Sequence, residues 1–220
     1  NAFIAAASHE LRSPLTVIQT SLSAVSYADP EQTEHFISIS LDECKRMSRL
    51  IQDMLSLSRS DNHTWVLDCT SCEIDTLLLD VYEKYEQTAR HKKKQLLIEL
   101  PEDSLPVCFC DSLKISQALA ILIDNALAYV PEGGMIRLSA RQEAASVSLF
   151  VADNGPGIPD SEKEAVFQRF YRSDTSRNDK QHFGLGLCIA KEIALLHHGT
   201  LSVSDTPGGG ATFQLTLPVS

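Results

Sequence analysis

The stretch SHELRSPLTVIQTSLSAV, at residues 8–25, decides the first half of the fold. Five of its apolar residues recur at alternating steps of four and three, which draws a seam along one face of an α-helix. The members of this seam are Leu11, Leu15, Ile18, Leu22 and Val25. We therefore expect an amphipathic helix over residues 3–27.

A second helix follows at once in the sequence. The run DPEQ at residues 29–32 has the order of a helix N-terminus, with an N-cap aspartate, then proline, then glutamine at the third helical position. The heptad spacing returns at Met47, Leu50, Met54 and Leu57. Two such helices form an antiparallel hairpin, which cannot bury both seams alone. The sequence therefore predicts a homodimer in which two hairpins pair into a four-helix bundle.

His9 is the first candidate for chemistry. It lies two residues before Leu11 and, at about 100° per residue, faces away from the seam and toward solvent. Glu10 beside it can accept its proton or fix its tautomer. Pro14 cannot donate to the carbonyl of Glu10, so we expect a kink one turn beyond the histidine. Taken alone, an exposed histidine is usually a solvated surface residue, and its assignment depends on the rest of the chain.

The pattern changes after a polar run at residues 58–62, which is typical of a linker. We place the domain boundary there, giving a hairpin domain at 1–60 and a second domain at 61–220. The second domain alternates predicted helices at 75–91, 111–129 and 185–198 with predicted strands at 95–100, 107–110, 135–140 and 146–152, and it closes with a hairpin through 207–210. This order predicts an α/β sandwich with mainly antiparallel neighbouring strands.

Three motifs in the second domain could bind a ligand. Asp124 and Asn125 interrupt an otherwise apolar helix, and buried polar groups need partners. The run DNGPGIP at 153–159 ends a strand with two glycines that let backbone approach a ligand closely. The run FGLGL at 183–187 leads into a helix whose free N–H groups favour an anion. Each motif alone also fits an ordinary structural role.

Composition narrows the partners and the chemistry. The formal net charge is −10, with 29 acidic and 19 basic residues, which argues against a nucleic-acid partner. The pairs CTSC at 69–72 and CFC at 108–110 could supply a four-thiolate zinc site. We favour reduced thiols, because the second pair lies in a strand-like segment whose side chains alternate between faces. Without a signal peptide or a long apolar run, the chain as given is expected to be soluble.

The run SHELRSPL at residues 8–15 resembles the phosphoacceptor motif of sensor histidine kinases. The resemblance implies that ATP phosphorylates His9 and that the phosphoryl group then passes to an aspartate on a response-regulator receiver domain. It also implies a phosphatase reaction in which the residue at position 13, usually Thr or Asn, orients a water. Here that residue is Ser13, so the predicted catalytic residues are His9, Glu10 and Ser13.

The three motifs of the second domain, taken in order, resemble the ATP-binding domain shared by histidine kinases, gyrase-type topoisomerases, the ninety-kilodalton heat-shock chaperone and mismatch-repair ATPases. The resemblance implies ATP and Mg²⁺ as cofactors, with Asn125 as the metal ligand and Asp153 as the acceptor of the adenine amino hydrogen. The other nucleotide-binding residues that it implies are Tyr129, Gly155, Gly157, Arg172, Gly184, Leu185, Gly186 and Thr212.

Four positions depart from this family pattern. Ile121 and Ala128 are apolar where many members carry Asn and a basic residue, and His182 and Phe183 stand where a glycine and a small hydroxyl residue are usual. An alternative is therefore a weakly catalytic or non-catalytic dimeric scaffold, or a phosphatase for its regulator. An ATP-gated machine of the topoisomerase kind would leave the hairpin unexplained. The resemblance also implies the cytoplasmic portion of a membrane-anchored bacterial sensor, which meets the membrane only through segments absent from this fragment.

Overall fold

The computed structural model describes residues 2–61, 64–172 and 183–219. This part of the chain divides into two compact units. Of the described residues, those within 2–64 and 169–185 form one unit, and residues 65–168 with 186–219 form the other. The first unit is built on a helical hairpin and the second on a β-sheet covered by helices.

Two long helices form the hairpin, α1 at Ala2–Val25 and α2 at Pro30–Asp61. Asp29 caps α2 as its sequence predicts, since its Oδ1 accepts a hydrogen bond of 2.8 Å from the Gln32 amide. The linker prediction at 58–62 is wrong for residues 58–61, which continue α2. They contain neither glycine nor proline and follow the fully buried Leu57, so nothing ends the helix there. Asn62 lies outside the described residues.

The hairpin buries a narrow line of small and apolar side chains. The buried residues of α1 are Ala7, Pro14 and Ser21, seven apart, and those of α2 are Ser40, Leu50 and Leu57. Larger apolar side chains beside this line stay exposed, namely Leu15 and Leu22 on α1 with Ile37, Leu41, Ile51 and Leu55 on α2. One hairpin therefore leaves much of its apolar surface uncovered, as the sequence predicts.

A five-stranded sheet forms the centre of the second unit. Its strands are β2 at Gln95–Glu99, β4 at Met135–Gln142, β5 at Ser146–Asp153, β6 at Thr200–Asp205 and β7 at Ala211–Pro218. Their order across the sheet is β2-β4-β5-β7-β6. The β2–β4 pair is parallel and the other pairs are antiparallel. The predicted α/β sandwich is confirmed, with one parallel pair.

Three helices cover this sheet: α3 at Ile74–His91, α4 at Ser112–Tyr129 and α5 at Gly186–Leu196. Asp111 caps α4, since its Oδ1 accepts a hydrogen bond of 3.1 Å from the Lys114 amide. Helix α5 is shorter than predicted because His198 takes a left-handed φ of 55° and turns the chain. The core between sheet and helices includes Leu78, Leu119, Leu122, Ile123, Ile136, Leu138 and Phe213.

A two-stranded antiparallel ribbon completes the second unit. It pairs β1 at Thr70–Glu73, which the sequence did not predict, with β3 at Val107–Cys110. Four residues without an apolar alternation give too short a signal to predict as a strand. Cys108 and Cys110 are both buried on one face of β3, because residues two apart in a strand share a face. The expectation that alternation would separate these two thiols is wrong.

Candidate functional site

His9 projects from the outer surface of α1. Its side chain is 79% exposed, and Glu10 beside it is 29% exposed. A distance of 4.0 Å separates His9 Nδ1 from Glu10 Oε1, which is too long for a hydrogen bond but leaves the carboxylate beside the ring. Ser13 lies one turn further on and is also exposed. The imidazole is thus free to meet a reagent arriving from solvent.

Helix α1 continues through Pro14 without interruption. The proline lacks an amide hydrogen, so it cannot donate to the Glu10 carbonyl one turn earlier. The predicted kink angle at this point stays a prediction. A groove of about 470 Å³ runs along the same surface, lined by His9, Arg12, Ser13, Thr16, Val17, Thr20 and Ser21. The histidine therefore stands at one end of a groove formed by hydroxyl side chains and one arginine.

Asp153 lies at the end of β5 and is only 6% exposed. Its Oδ1 accepts hydrogen bonds from the Gly155 amide at 2.8 Å and the Ala211 amide at 3.2 Å. Burial raises the pKa of this carboxyl above its usual value, and the two amide hydrogen bonds oppose that shift. No described residue donates to Oδ2, so this second oxygen of the carboxyl group can still accept a hydrogen bond.

Three glycines hold backbone close around Asp153. A Cβ on Gly155 would lie 2.9 Å from Asp153 Oδ1, and one on Gly210 would lie 1.9 Å from the Asp153 carbonyl oxygen. Gly157 has a φ of +75°, and a Cβ there would lie 3.3 Å from the Gly210 carbonyl oxygen. Side chains at these positions would push the DNGPGIP loop away from the hairpin between β6 and β7. Gly155 thus lies against Asp153, and Gly157 lies against Gly210, which itself contacts the Asp153 carbonyl. This loop and the backbone around it are called the Asp153 pocket below.

Two further predicted residues lie beside this pocket. The Tyr129 carbonyl oxygen would be 3.6 Å from a Cβ on Gly155, which places the end of α4 against the loop. Thr212 pairs with Ala152 across the sheet, one residue before Asp153. Its hydroxyl is 2.8 Å from the Thr206 hydroxyl, and a hydroxyl has further hydrogen-bonding capacity.

Asn125 is half-buried on α4. Within residues 2–61, 64–172 and 183–219, no group forms a hydrogen bond with the side-chain amide of Asn125. Ile121, one turn earlier, points toward the start of α5, since its Cγ2 would be 3.1 Å from a Cβ on Gly186.

Arg172, Gly184 and Leu185 belong to the unit that contains the hairpin. Gly184 has a φ of +72°, and a Cβ there would lie 2.5 Å from the Tyr171 carbonyl oxygen. Its own carbonyl accepts a hydrogen bond of 2.8 Å from the Phe170 amide. Their predicted contacts with nucleotide stay predictions. His182 lies outside the described residues.

Two polar networks escaped the sequence analysis. The Tyr85 hydroxyl donates to Asp124 Oδ2 at 3.1 Å, so the carboxylate before Asn125 has a partner on α3. The buried His197 ring accepts from the Asp111 amide at 3.0 Å through Nε2 and contacts the Ile193 carbonyl at 2.8 Å through Nδ1. These partners are 39 and 86 residues apart, and no local pattern could have paired them.

The described residues contain neither a candidate membrane-spanning helix nor a candidate metal-binding cluster. None of the helices in the described ranges is long and apolar enough to cross a membrane. Among the same residues, no group of three or more His, Cys, Asp or Glu side chains is arranged to hold a metal ion.

Comparison with known families identifies both halves of the chain. Residues 1–63 match the His Kinase A (phospho-acceptor) domain. Residues 110–220 match the family described as Histidine kinase-, DNA gyrase B-, and HSP90-like ATPase. The chain therefore belongs to the sensor histidine kinases, with His9 in the phospho-acceptor match and Asp153 in the ATPase match.

Individual relatives agree with this family. The sensor histidine kinase WalK of Bacillus subtilis (strain 168) is 35% identical over 98% of this chain and 36% of its own length. Acinetobacter baumannii histidine kinase AdeS has a TM-score of 0.76 at 25% identity, covering 96% of this chain and 98% of that chain. Full-length ShkA in complex with AMPPNP has a TM-score of 0.74 at 25% identity, and the match covers 96% of this chain and 44% of ShkA. The chain spans about half the length of the curated relatives it matches, between 36% and 58% for three of them.

Proposed function

We propose that this chain phosphorylates His9 with ATP and passes the phosphoryl group to an aspartate of a response-regulator receiver domain. The observation that carries the proposal is the 79% exposed imidazole of His9, placed beside a carboxylate on the hairpin of a chain that also has an ATPase domain. A ring nitrogen of His9 attacks the γ-phosphorus, the bond to the β-phosphate oxygen breaks and ADP leaves. Glu10 holds the proton of the other ring nitrogen during attack.

The Asp153 pocket is the adenine site in this proposal. Its free Oδ2 accepts the adenine amino hydrogen, while Oδ1 stays fixed by the Gly155 and Ala211 amides. Gly155 and Gly157 leave room for the flat base, and Thr212 reaches its edge. The AMPPNP complex of the related ShkA supports a nucleotide at this kind of domain.

Asn125 is the residue that fits Mg²⁺. Its half-buried amide has no partner among the described residues, and Mg²⁺ usually takes one or two protein oxygens together with phosphate oxygens and waters. The metal would neutralise charge on the phosphates when bound. Gly184, Leu185, Gly186 and Arg172 would hold the triphosphate through backbone amides and a guanidinium.

The assembly follows from the same proposal. Two hairpins pair into a four-helix bundle, with residues 1–60 as the dimerisation and phosphotransfer domain and 61–220 as the ATP-binding domain. The groove that begins at His9 and Ser13 receives the receiver domain, where Ser13 positions a water for the phosphatase reaction. In this proposal, segments outside this chain anchor the protein in a membrane. The two domains then lie on the cytoplasmic side of that membrane.

A second candidate is a weakly catalytic member that acts mainly as a scaffold or as a phosphatase. The observation in its favour is the Ile121 side chain, whose methyl group lies against the start of α5 where a polar group would help hold phosphates. Ala128 adds no charge on the same helix face.

Incubation with γ-labelled ATP and Mg²⁺ tests the proposal directly. Acid-labile label should appear on the protein, move to an added receiver domain and vanish in His9→Gln. His35→Gln is the matched control, because His35 is another exposed histidine of the hairpin and should leave labelling unchanged. Undiminished label in His9→Gln refutes the acceptor assignment. ATP hydrolysis without any protein label would favour an ATPase instead.

A further inference from the structure

Four of the six cysteines lie in or beside the β1–β3 ribbon. Cys72 lies directly opposite Cys108 in the antiparallel register. Cys110 is opposite Thr70 and therefore shares the inner face with both. The three thiols are 8%, 1% and 2% exposed, and Cys69, one residue before β1, is half-exposed. All six cysteines of the chain are free thiols.

The thiols of this cluster interact with one another. Burial raises the pKa of Cys110 to about 12, and the neighbouring Cys72, Cys108 and Cys69 add to the shift. Burial also raises the pKa of Cys72 and of Cys108. The cluster is therefore held as neutral thiols in the reduced protein, and its reaction with an oxidant is slow.

We propose that the β1–β3 ribbon is a reversible thiol oxidation site in which Cys72 and Cys108 form a cross-strand disulfide. Directly opposite residues of an antiparallel pair have Cα atoms about 4.5 to 5.5 Å apart, which lies inside the range that a disulfide spans. The diagonal neighbours Cys72 and Cys110 are about 7 to 8 Å apart by the same geometry, which is too far without backbone movement. Cys72–Cys108 is thus the pair that can close in place.

The oxidant in this proposal is hydrogen peroxide, which is small enough to reach a mostly buried thiol. Cys72, the least buried of the three, is oxidised to a sulfenic acid while peroxide is reduced and one water leaves. The Cys108 thiol then attacks that sulfur, the S–O bond breaks, and a second water leaves as the disulfide forms. A dithiol reverses the bond by exchange, with Cys110 and Cys69 beside it as further exchange partners.

The ribbon favours a disulfide over a bound metal. Four thiols from CxxC and CxC pairs would suit zinc by composition. Among the described residues, however, no three of these ligands converge on a point that could hold a metal ion. The Cys72 and Cys108 thiols instead lie 3.9 Å from the carbonyl oxygens of Glu73 and Pro106, respectively. Each sulfur therefore makes a weak contact with a neighbouring backbone carbonyl.

Peptide mapping after oxidation tests the site. The chain with Cys44→Ser, which removes the exposed thiol of α2, is treated with hydrogen peroxide, unfolded, alkylated and digested with trypsin. Peptides 60–84 and 95–114 should be joined by a disulfide, with alkyl groups on Cys69 and Cys110. Closing the loop should raise Tm by about 5 to 15 °C, and dithiothreitol should reverse both changes.

Single variants fix the pair. Cys72→Ala and Cys108→Ala should each abolish the link, whereas Cys69→Ala should keep it, and a melt of each reduced variant confirms folding. A link that persists in Cys72→Ala overturns the assignment. So does full alkylation of both peptides under conditions that oxidise Cys44 in the unchanged chain, or one zinc retained per chain after purification. None of these readouts depends on nucleotide or phosphoryl transfer, so the outcome is independent of the proposed kinase activity.

Discussion

Asp153 Oδ1 holds the DNGPGIP loop and the start of β7 through two backbone amides. In the proposed adenine site, Oδ2 accepts a hydrogen bond from the base. Truncation to alanine would remove both oxygens. Weaker nucleotide binding could then result either from the lost contact with the base or from a displaced DNGPGIP loop. A substitution that keeps Oδ1 and changes only Oδ2 separates the two roles.

Asp153→Asn is that substitution. Its amide oxygen can replace Oδ1, but its NH₂ group faces the adenine amino group with another donor. We expect ATP and ADP to bind about tenfold to hundredfold more weakly, in keeping with the loss of a charge-assisted hydrogen bond of roughly 1.5 to 3 kcal/mol. Calorimetric titration measures both affinities. The exposed Asp103→Asn should bind as the unchanged chain does, and unchanged affinity in Asp153→Asn would move the adenine site elsewhere.

Local sequence singled out Asp153 as a candidate, but it could not predict polar contacts between residues that are far apart in the chain. Asp111 was predictable as the N-cap of α4, because a cap is a local pattern. Its second carboxylate oxygen accepts from the Asp68 amide, and its own amide donates to His197. These contacts join residues 43 and 86 positions apart, and only the assembled sheet and helices bring them together.

Helix α2 carries a half-buried carboxyl beside its apolar side. Asp53 lies one turn from Leu50 and Leu57, both fully buried. Burial raises the pKa of Asp53 to about 6, and the nearby Arg49 opposes this shift. Because the folded-state pKa is above the unfolded value, the folded chain binds the extra proton. This stabilisation is complete below the unfolded pKa of about 4 and is lost as pH rises through about 6.

Asp53→Asn should therefore remove a pH dependence. Between pH 4 and 6 the unfolding free energy of the unchanged chain should fall relative to the variant, by on the order of 1 kcal/mol. At pH 8 the variant should be the more stable of the two. Urea melts across this pH range provide the measurement, with the exposed Asp42→Asn as control. Parallel curves for Asp53→Asn and the unchanged chain would show that Asp53 ionises freely.

Helix α4 has two apolar residues at positions where many members of the family have polar ones. Ile121 and Ala128 flank Asn125 on one helix face, and Ile121 reaches the start of α5. Replacing both with Asn and Lys should strengthen phosphate holding without altering the Asp153 pocket. Their cost is the desolvation of new polar groups in the empty protein, so the melting temperature without nucleotide should fall.

Ile121→Asn with Ala128→Lys should raise the initial rate of His9 labelling and favour ATP over ADP. The measurements are labelling at saturating ATP and thermal melts with and without Mg-ATP. Ile121→Val is the control, because it shortens the side chain without adding a polar group. A folded double variant with neither gain would show that these two positions do not limit the site.

The whole chain was predictable where patterns are local and repeated. The hairpin, the caps of α2 and α4, and the α/β order of the second unit all follow from periodicity and turn residues. The second apolar stripe of α2, at Ile37, Leu41, Ile51 and Leu55, was not recognised beside the stripe at Met47, Leu50, Met54 and Leu57. A helix that packs on two neighbours needs both stripes, and only the structure shows which one its own hairpin leaves uncovered.

The exposed apolar side chains of both hairpin helices lead to a prediction about dimer assembly. Leu22 is 53% exposed and Leu41 is 55% exposed, and a four-helix bundle would bury both against a second hairpin. Leu22→Glu with Leu41→Glu would place unpaired charges in that interface, so we expect a monomer at concentrations where the unchanged chain is a dimer. Sedimentation equilibrium measures the mass of each. Leu113→Glu is the matched control, because Leu113 is 80% exposed on α4 and its replacement should leave the dimer intact. A double variant that stays dimeric, with its helix content unchanged, would place the dimer interface on another surface. Loss of the dimer together with loss of His9 labelling would show that phosphorylation requires the paired hairpins.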